Sequence, residues 1–163
     1  MSHNQPFLGT QLQPRQGAPA GFLAGLGMAL LYGLLAQLFG PGAERWLNTI
    51  AATLLGQTVI AAGWQPGPLL AGLGLHLLVA VLLGLLFAAS LDRLPRGQTL
   101  TVATFYGFTI WFVSSFILGG WLNPAILEFN RTWWGLLAHL GFGLLLGLYA
   151  GARGAPPPTL SPD

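Results

Sequence analysis

The sequence predicts an all-α fold, a bundle of four transmembrane helices, and three observations carry that expectation. Of 163 residues, 53% are hydrophobic and 6% charged, with a mean hydropathy of +0.65. A water-soluble domain carries about a quarter charged residues to keep its surface hydrated. The six arginines and four acids leave four uncharged apolar runs, residues 20–40, 69–90, 100–122 and 132–151. Each has about the 20 residues that cross roughly 30 Å of hydrocarbon. Finally, all twelve prolines lie outside these runs or at their rims, where a missing N–H does no harm.

The same composition excludes a soluble enzyme, a nucleic-acid binder and a disordered chain, which all need far more polar or basic surface. A pI of about 9.7 rests on a surplus of only two arginines over the acids, so it does not argue for nucleic acid. The absence of cysteine removes disulfides, thiolate nucleophiles, iron–sulfur clusters and Cys-based zinc sites.

In chain order, residues 1–19 form a polar leader rich in Gln, Pro and Gly, expected to be disordered and cytoplasmic. The run after it is too long for the apolar core of a cleaved signal peptide and reads as an uncleaved first helix. The first outer loop, residues 41–68, holds the stretch WLNTIAATLLGQTVIAAGW. At 100° per residue, Leu47, Ile50, Ala51, Leu54 and Ala61 gather on one side and Asn48, Thr49, Thr53 and Gln57 on the other. That pattern favours an amphipathic helix lying in the membrane interface; a fifth crossing over residues 46–63 is the competing reading. The second helix, the inner loop near residue 95, the third and fourth helices and a second disordered cytoplasmic tail, residues 152–163, complete the chain.

Four crossings put both termini and the inner loop on one side, with Arg15, Arg93, Arg96 and Arg153, against Arg45 and Arg131 on the other. The positive-inside rule then places both termini in the cytoplasm. Trp46, Trp64, Trp121, Trp133 and Trp134 all fall on the outer side, where indole rings favour the headgroup boundary.

Small residues recur every fourth position, and in lipid such stripes let helix backbones pack closely. Gly25 and Gly33 mark the first helix, Gly72 and Gly84 the second, Gly107 the third, and Gly135, Gly143 and Gly147 the fourth. The second and fourth helices share the register Gly72, His76, Gly84 and Gly135, His139, Gly147 at a constant offset of 63 residues. Only one other His exists, His3 in the leader, so the match suggests two tandem helix-pair repeats.

Alternating topology makes the two His-bearing helices parallel and puts His76 and His139 at one depth, with Tyr32, Gln37, Ser114 and Ser115 near it. Ionisable groups inside a membrane mark a candidate site. Three uses of this polar layer compete. It is an interhelical hydrogen-bond network, a substrate or proton path through a small oligomeric permease, or bis-His axial ligation of a b-type haem. The absence of any Asp or Glu in the four runs weighs against a relay, and two imidazoles fall short of a closed zinc site. No catalytic constellation and no metal site is read.

The runs GLGLHLLVAVLLGLLFA and GLLAHLGFGLLLGLYAG, with YGFTIWFVSSFILGGWLNP between them, resemble a family of small four-helix bacterial inner-membrane proteins of unknown function. His76, Tyr106, Gly107, Trp111, Pro124, His139, Gly143 and Gly147 carry the resemblance, which covers residues 20–151. It implies a multi-pass membrane domain with a short amphipathic outer segment and lends no reaction. The expectation is a non-enzymatic accessory or scaffold-like component without a required cofactor, partnered by the bilayer and by copies of itself or another membrane protein.

Overall fold

The structure is a computed structural model and describes residues 14–90 and 98–153. Arg93 and Arg96, two of the four arginines that place the termini, lie outside that range, as do most of both tails. Among the described residues the chain is helical, without strands.

Helix α1 spans Pro14–Phe39, α2 Ala43–Leu55 and α3 Pro66–Ser90. The next long rod is composite: α4 (Thr99–Phe112), a π-helical segment Val113–Leu118 and α5 (Gly119–Leu122). A 3₁₀ turn and the short α6 (Leu127–Asn130) lead into α7 (Trp133–Arg153). Four of these rods, Gln16–Phe39, Pro66–Ser90, Thr99–Leu122 and Trp133–Ala152, are long and apolar enough to cross a membrane. In hydrocarbon a helix is the economical answer, because every backbone polar group is satisfied within the segment. Large apolar side chains point outward along all four, among them Leu30, Leu70, Phe105 and Leu148, each more than half exposed.

The boundaries depart from the apolar runs in readable ways. Helix α1 begins six residues before residue 20, so Pro19 lies inside it and not at its rim. Its missing N–H falls in the second turn, where few bonds are lost. Pro66 opens α3, a position suited to its fixed φ. Thr132 caps α7, its Oγ1 accepting the Gly135 N–H at 2.9 Å. The π segment sits where Ser114 donates back to the Trp111 carbonyl and Gly119–Gly120 follow, all three weak α-formers. Its loosened Ser115 carbonyl accepts Arg131 Nε at 2.9 Å, while the guanidinium lies 5.2 Å from the Phe116 ring centre.

The expected interfacial helix is shorter and differently turned. At 13 residues α2 reaches about 20 Å, too little for a fifth crossing, and Gly56 ends it at φ 87°, a conformation L side chains rarely adopt. Two of its polar side chains, Asn48 and Thr49, are buried while Leu54 and Leu55 are exposed. Thr49 Oγ1 donates to the Arg45 carbonyl at 2.7 Å and Asn48 Nδ2 donates to the Gly63 carbonyl at 2.8 Å, while Asn48 Oδ1 is buried without a partner. Trp46, read as an interfacial anchor, is buried, whereas Trp64, Trp121 and Trp133 are exposed.

The long helices pack in the spatial order α3, α1, α7, α4, neighbours running antiparallel. A side chain at Gly84 would strike Gly17 and Gly21 of α1, and one at Gly25 would strike Ala80 of α3. On the other pair, Gly107 faces the His139 carbonyl, Gly143 faces Ala103, and Gly147 faces Ala103 and Leu100. Between the pairs, α1 (Ala20, Ala24, Met28, Tyr32, Ala36) and α7 (Ala138, Phe142, Leu146, Ala150) supply most of the core. The other three glycines read as helix seams lie apart from these long-helix contacts. Gly72 lies against the Leu47 carbonyl of α2 and Gly135 against the Phe129 and Asn130 carbonyls, while Gly33 has only Ala43 nearby, 3.7 Å from where a Cβ would stand.

Candidate functional site

At the end of the molecule that carries α2, four rings form a chain. The His76 ring meets Trp46 edge-on at 5.4 Å, Trp46 stacks on Tyr32 at 4.6 Å with planes 6° apart, and Tyr32 meets His139 edge-on at 6.3 Å. Each ring comes from a different helix: α3, α2, α1 and α7. The stack gains from offset aromatic packing and fixes α2 to the long helices.

Hydrogen bonds hold the same groups. His76 Nε2–H donates to the Gly25 carbonyl across the α1–α3 seam at 3.0 Å, while His139 Nδ1–H donates to the Gly135 carbonyl one turn back at 2.7 Å. A carbonyl only accepts, so these nitrogens carry the protons, and a neutral ring keeps its lone pair at Nδ1 of His76 and Nε2 of His139. Tyr32 donates to Asn130 Oδ1 at 3.3 Å, and Asn130 Nδ2 donates to Ser114 Oγ at 3.3 Å. The Asn130 carbonyl takes the Trp111 indole N–H at 2.6 Å.

A second amide, Asn123, ties the connections together. Its Nδ2 donates to the Thr49 carbonyl at 2.6 Å and Thr53 Oγ1 at 3.1 Å; its Oδ1 accepts from Ala125 N at 3.2 Å and Gln57 Nε2 at 3.3 Å. All four of its hydrogen-bonding positions are used.

Of the six residues assigned to the polar layer, the structure brings Tyr32, His139, Ser114 and His76 around one space. Gln37 stands apart, its Oε1 accepting the Ala43 N–H at 3.2 Å before α2. The Ser115 hydroxyl is buried without a partner. Sequence reasoning missed Asn123, Asn130 and Trp46, because each sits in a segment read as connection and not as span. Their one signal was an amide or indole beside apolar residues at a loop edge.

That space is a cavity of about 560 Å³. Met28, Tyr32, His139 and Phe142 form its floor, and α3 and α4 form its walls. These two walls meet at Tyr106, whose hydroxyl donates to the Leu83 carbonyl at 3.0 Å and whose ring lies 5.2 Å from Phe87. Toward α2 they diverge, and the exposed Val79, Thr109 and Leu118 line the gap.

The cavity does not fit a bis-His haem. Trp46 and Tyr32 stand between the imidazoles, and His76 has its Nε2 committed to Gly25. Among the described residues no three His, Cys, Asp or Glu side chains gather for a metal.

Fold and site together define an all-helical chain with four helices long and apolar enough to cross a membrane, and an aromatic and amide cluster at one end of a side-opening cavity. Comparison with family models, curated proteins and solved structures finds no match.

Proposed function

We propose that the chain is a four-span bundle in the bacterial cytoplasmic membrane, built from two tandem helix pairs, with both termini in the cytoplasm. It belongs, in this reading, with the small inner-membrane proteins it resembles and acts as a non-enzymatic accessory or scaffold-like component, assembled with itself or with another membrane protein. The repeat is supported by matched roles: Gly72 and Gly135 each touch the backbone of the preceding connection, and Gly84 and Gly147 each touch the partner helix of their own pair.

One observation carries the non-enzymatic reading. Tyr32, His76, Ser114 and His139 are each engaged with the protein's own backbone or amides, as structural groups are, and the two imidazoles are separated by stacked rings. Those that cross between segments, from His76, Tyr32 and Asn130, contribute about 0.6 kcal/mol each.

The test is affinity capture of the intact protein in mild detergent, with mass spectrometry of what accompanies it, repeated on a His76→Ala/His139→Ala double variant. The expected result is an unchanged partner set with a lower unfolding midpoint. A folded double variant that loses its partners would overturn the structural role. Topology is checked with single cysteines at residues 5, 64 and 95, uncomplicated because the chain has none. Labelling from outside is expected at residue 64 alone.

A further inference from the structure

We propose that the cavity between α3 and α4 binds one uncharged bilayer amphiphile whose head is a hydroxyl group. The proposal rests on the reading of the four long helices as membrane spans.

Access comes first. The floor is made by α1 and α7, and the gap runs between α3 and α4 where the half-exposed Val79 and Leu118 stand. In a chain surrounded by lipid, that gap opens sideways into hydrocarbon and not into water. The Tyr106 bridge to Leu83 closes one end, and Asn123 with α2 closes the other. From Tyr106 to Leu118 the wall is about 18 Å long. A volume of about 560 Å³ spread over that length is a slot for a single hydrocarbon chain, not for a two-chain phospholipid. It also falls in the size range of small-molecule sites, roughly 300–1,000 Å³.

The lining then selects the head. None of the cavity-lining residues is Asp, Glu, Lys or Arg, so a phosphate or ammonium head would be buried without a counter-charge. Most of the wall is aliphatic, and the polar groups converge toward α2. His76 and His139 have each spent one ring nitrogen as a donor, and the neutral rings retain one acceptor each. Asn130 uses one N–H on Ser114 and keeps the second. Acceptors together with a donor suit a group that both donates and accepts. A hydroxyl does both, whereas an ester or ether oxygen only accepts.

The experiment uses the full chain in phosphatidylcholine nanodiscs and three photoreactive probes with the same 14-carbon diazirine chain: the primary alcohol, its methyl ether and its phosphate monoester. Crosslinks are mapped by peptide mass spectrometry. Before any probe is added, alkaline extraction of native membranes tests the spans separately, and release of the protein into the soluble fraction would sink the four-span reading itself. The alcohol is expected to label α3 and α4 peptides around Val79 and Leu118 about tenfold more than the ether, the ratio that the loss of one hydrogen bond worth about 1.4 kcal/mol gives. His139→Phe should bring alcohol labelling down to the ether level. Val79→Trp, at the exposed rim and away from the core, should block labelling by all three, so the proposal remains testable if the His139 variant does not fold. Equal labelling by alcohol and ether, preferential labelling by the phosphate, or crosslinks showing this face covered by a second copy would each overturn it.

Discussion

Asn130 links Tyr32 to Ser114 at the cavity, and replacing it tests whether the cluster acts as one unit. Asn130→Ala removes the bonds to Tyr32 and Ser114, worth about 0.6 kcal/mol each inside a membrane protein. It also leaves the hydroxyl of Tyr32, a fully buried residue, without its acceptor, and an orphaned buried group costs about 1–3 kcal/mol. The expected loss is therefore about 2–4 kcal/mol. Tyr32→Phe deletes the hydroxyl itself, keeps the ring that stacks on Trp46, and leaves the buried Asn130 Oδ1 without its donor, so it too is expected to cost about 1–3 kcal/mol. In the double variant neither group is left orphaned, so its loss should be smaller than the sum of the two by about 2 kcal/mol or more. Reversible unfolding in mixed micelles, followed by tryptophan fluorescence and near-UV circular dichroism, supplies the four stabilities of the cycle. Additivity within about 0.3 kcal/mol would refute the reasoning, because groups that share a bond do not behave independently.

The remaining expectations separate tight from loose positions. Gly143→Val should abolish the assembled fold, since even a Cβ there meets Ala103 and Gly107, whereas Gly33→Ala should be nearly neutral; thermal aggregation profiles in detergent report both. Gly56→Ala has open space but a φ of 87°, so a loss of roughly 1 kcal/mol is expected in unfolding titrations, from backbone strain alone. Removing the exposed Arg45–Glu128 pair, 3.4 Å apart, should change stability by less than about 1 kcal/mol, and the same titrations check it. Haem supplied during expression should give no bis-His absorbance spectrum, because Trp46 and Tyr32 occupy the space between the imidazoles; a Soret band lost in the His76→Ala variant would contradict this.

The four long helices were legible because hydrocarbon imposes one rule, an uncharged run of about 20 residues, and the charge-free stretches obey it. Their spatial order was not legible. Small residues line all four, and a stripe such as Gly21–Gly25 does not say which neighbour it meets. The polar layer was legible in the histidines, Tyr32 and Ser114, whose chemistry stands out in apolar sequence. Asn123 and Asn130 escaped because a sequence places them in connections, while the fold bends those connections inward. The turning of α2 escaped for a related reason: a helical wheel assigns Asn48 and Thr49 to water, and only the Gly63 and Arg45 carbonyls explain why burying them is tolerated.

The spatial order α3, α1, α7, α4 has a consequence for biosynthesis. The two middle helices of the chain lie at the outside, and the first and last meet at the centre. The most apolar span, Pro66–Ser90, is also the least buried, and the last, Trp133–Ala152, is the most buried. During synthesis α1 and α3 would enter the bilayer as a hairpin with one face of α1 still wet by lipid. That face waits for a helix made nearly a hundred residues later. Assembly of the core is thus deferred until α7 is made, and a ribosome that stops short of α7 leaves one hairpin, α1 with α3, and an unpaired α4.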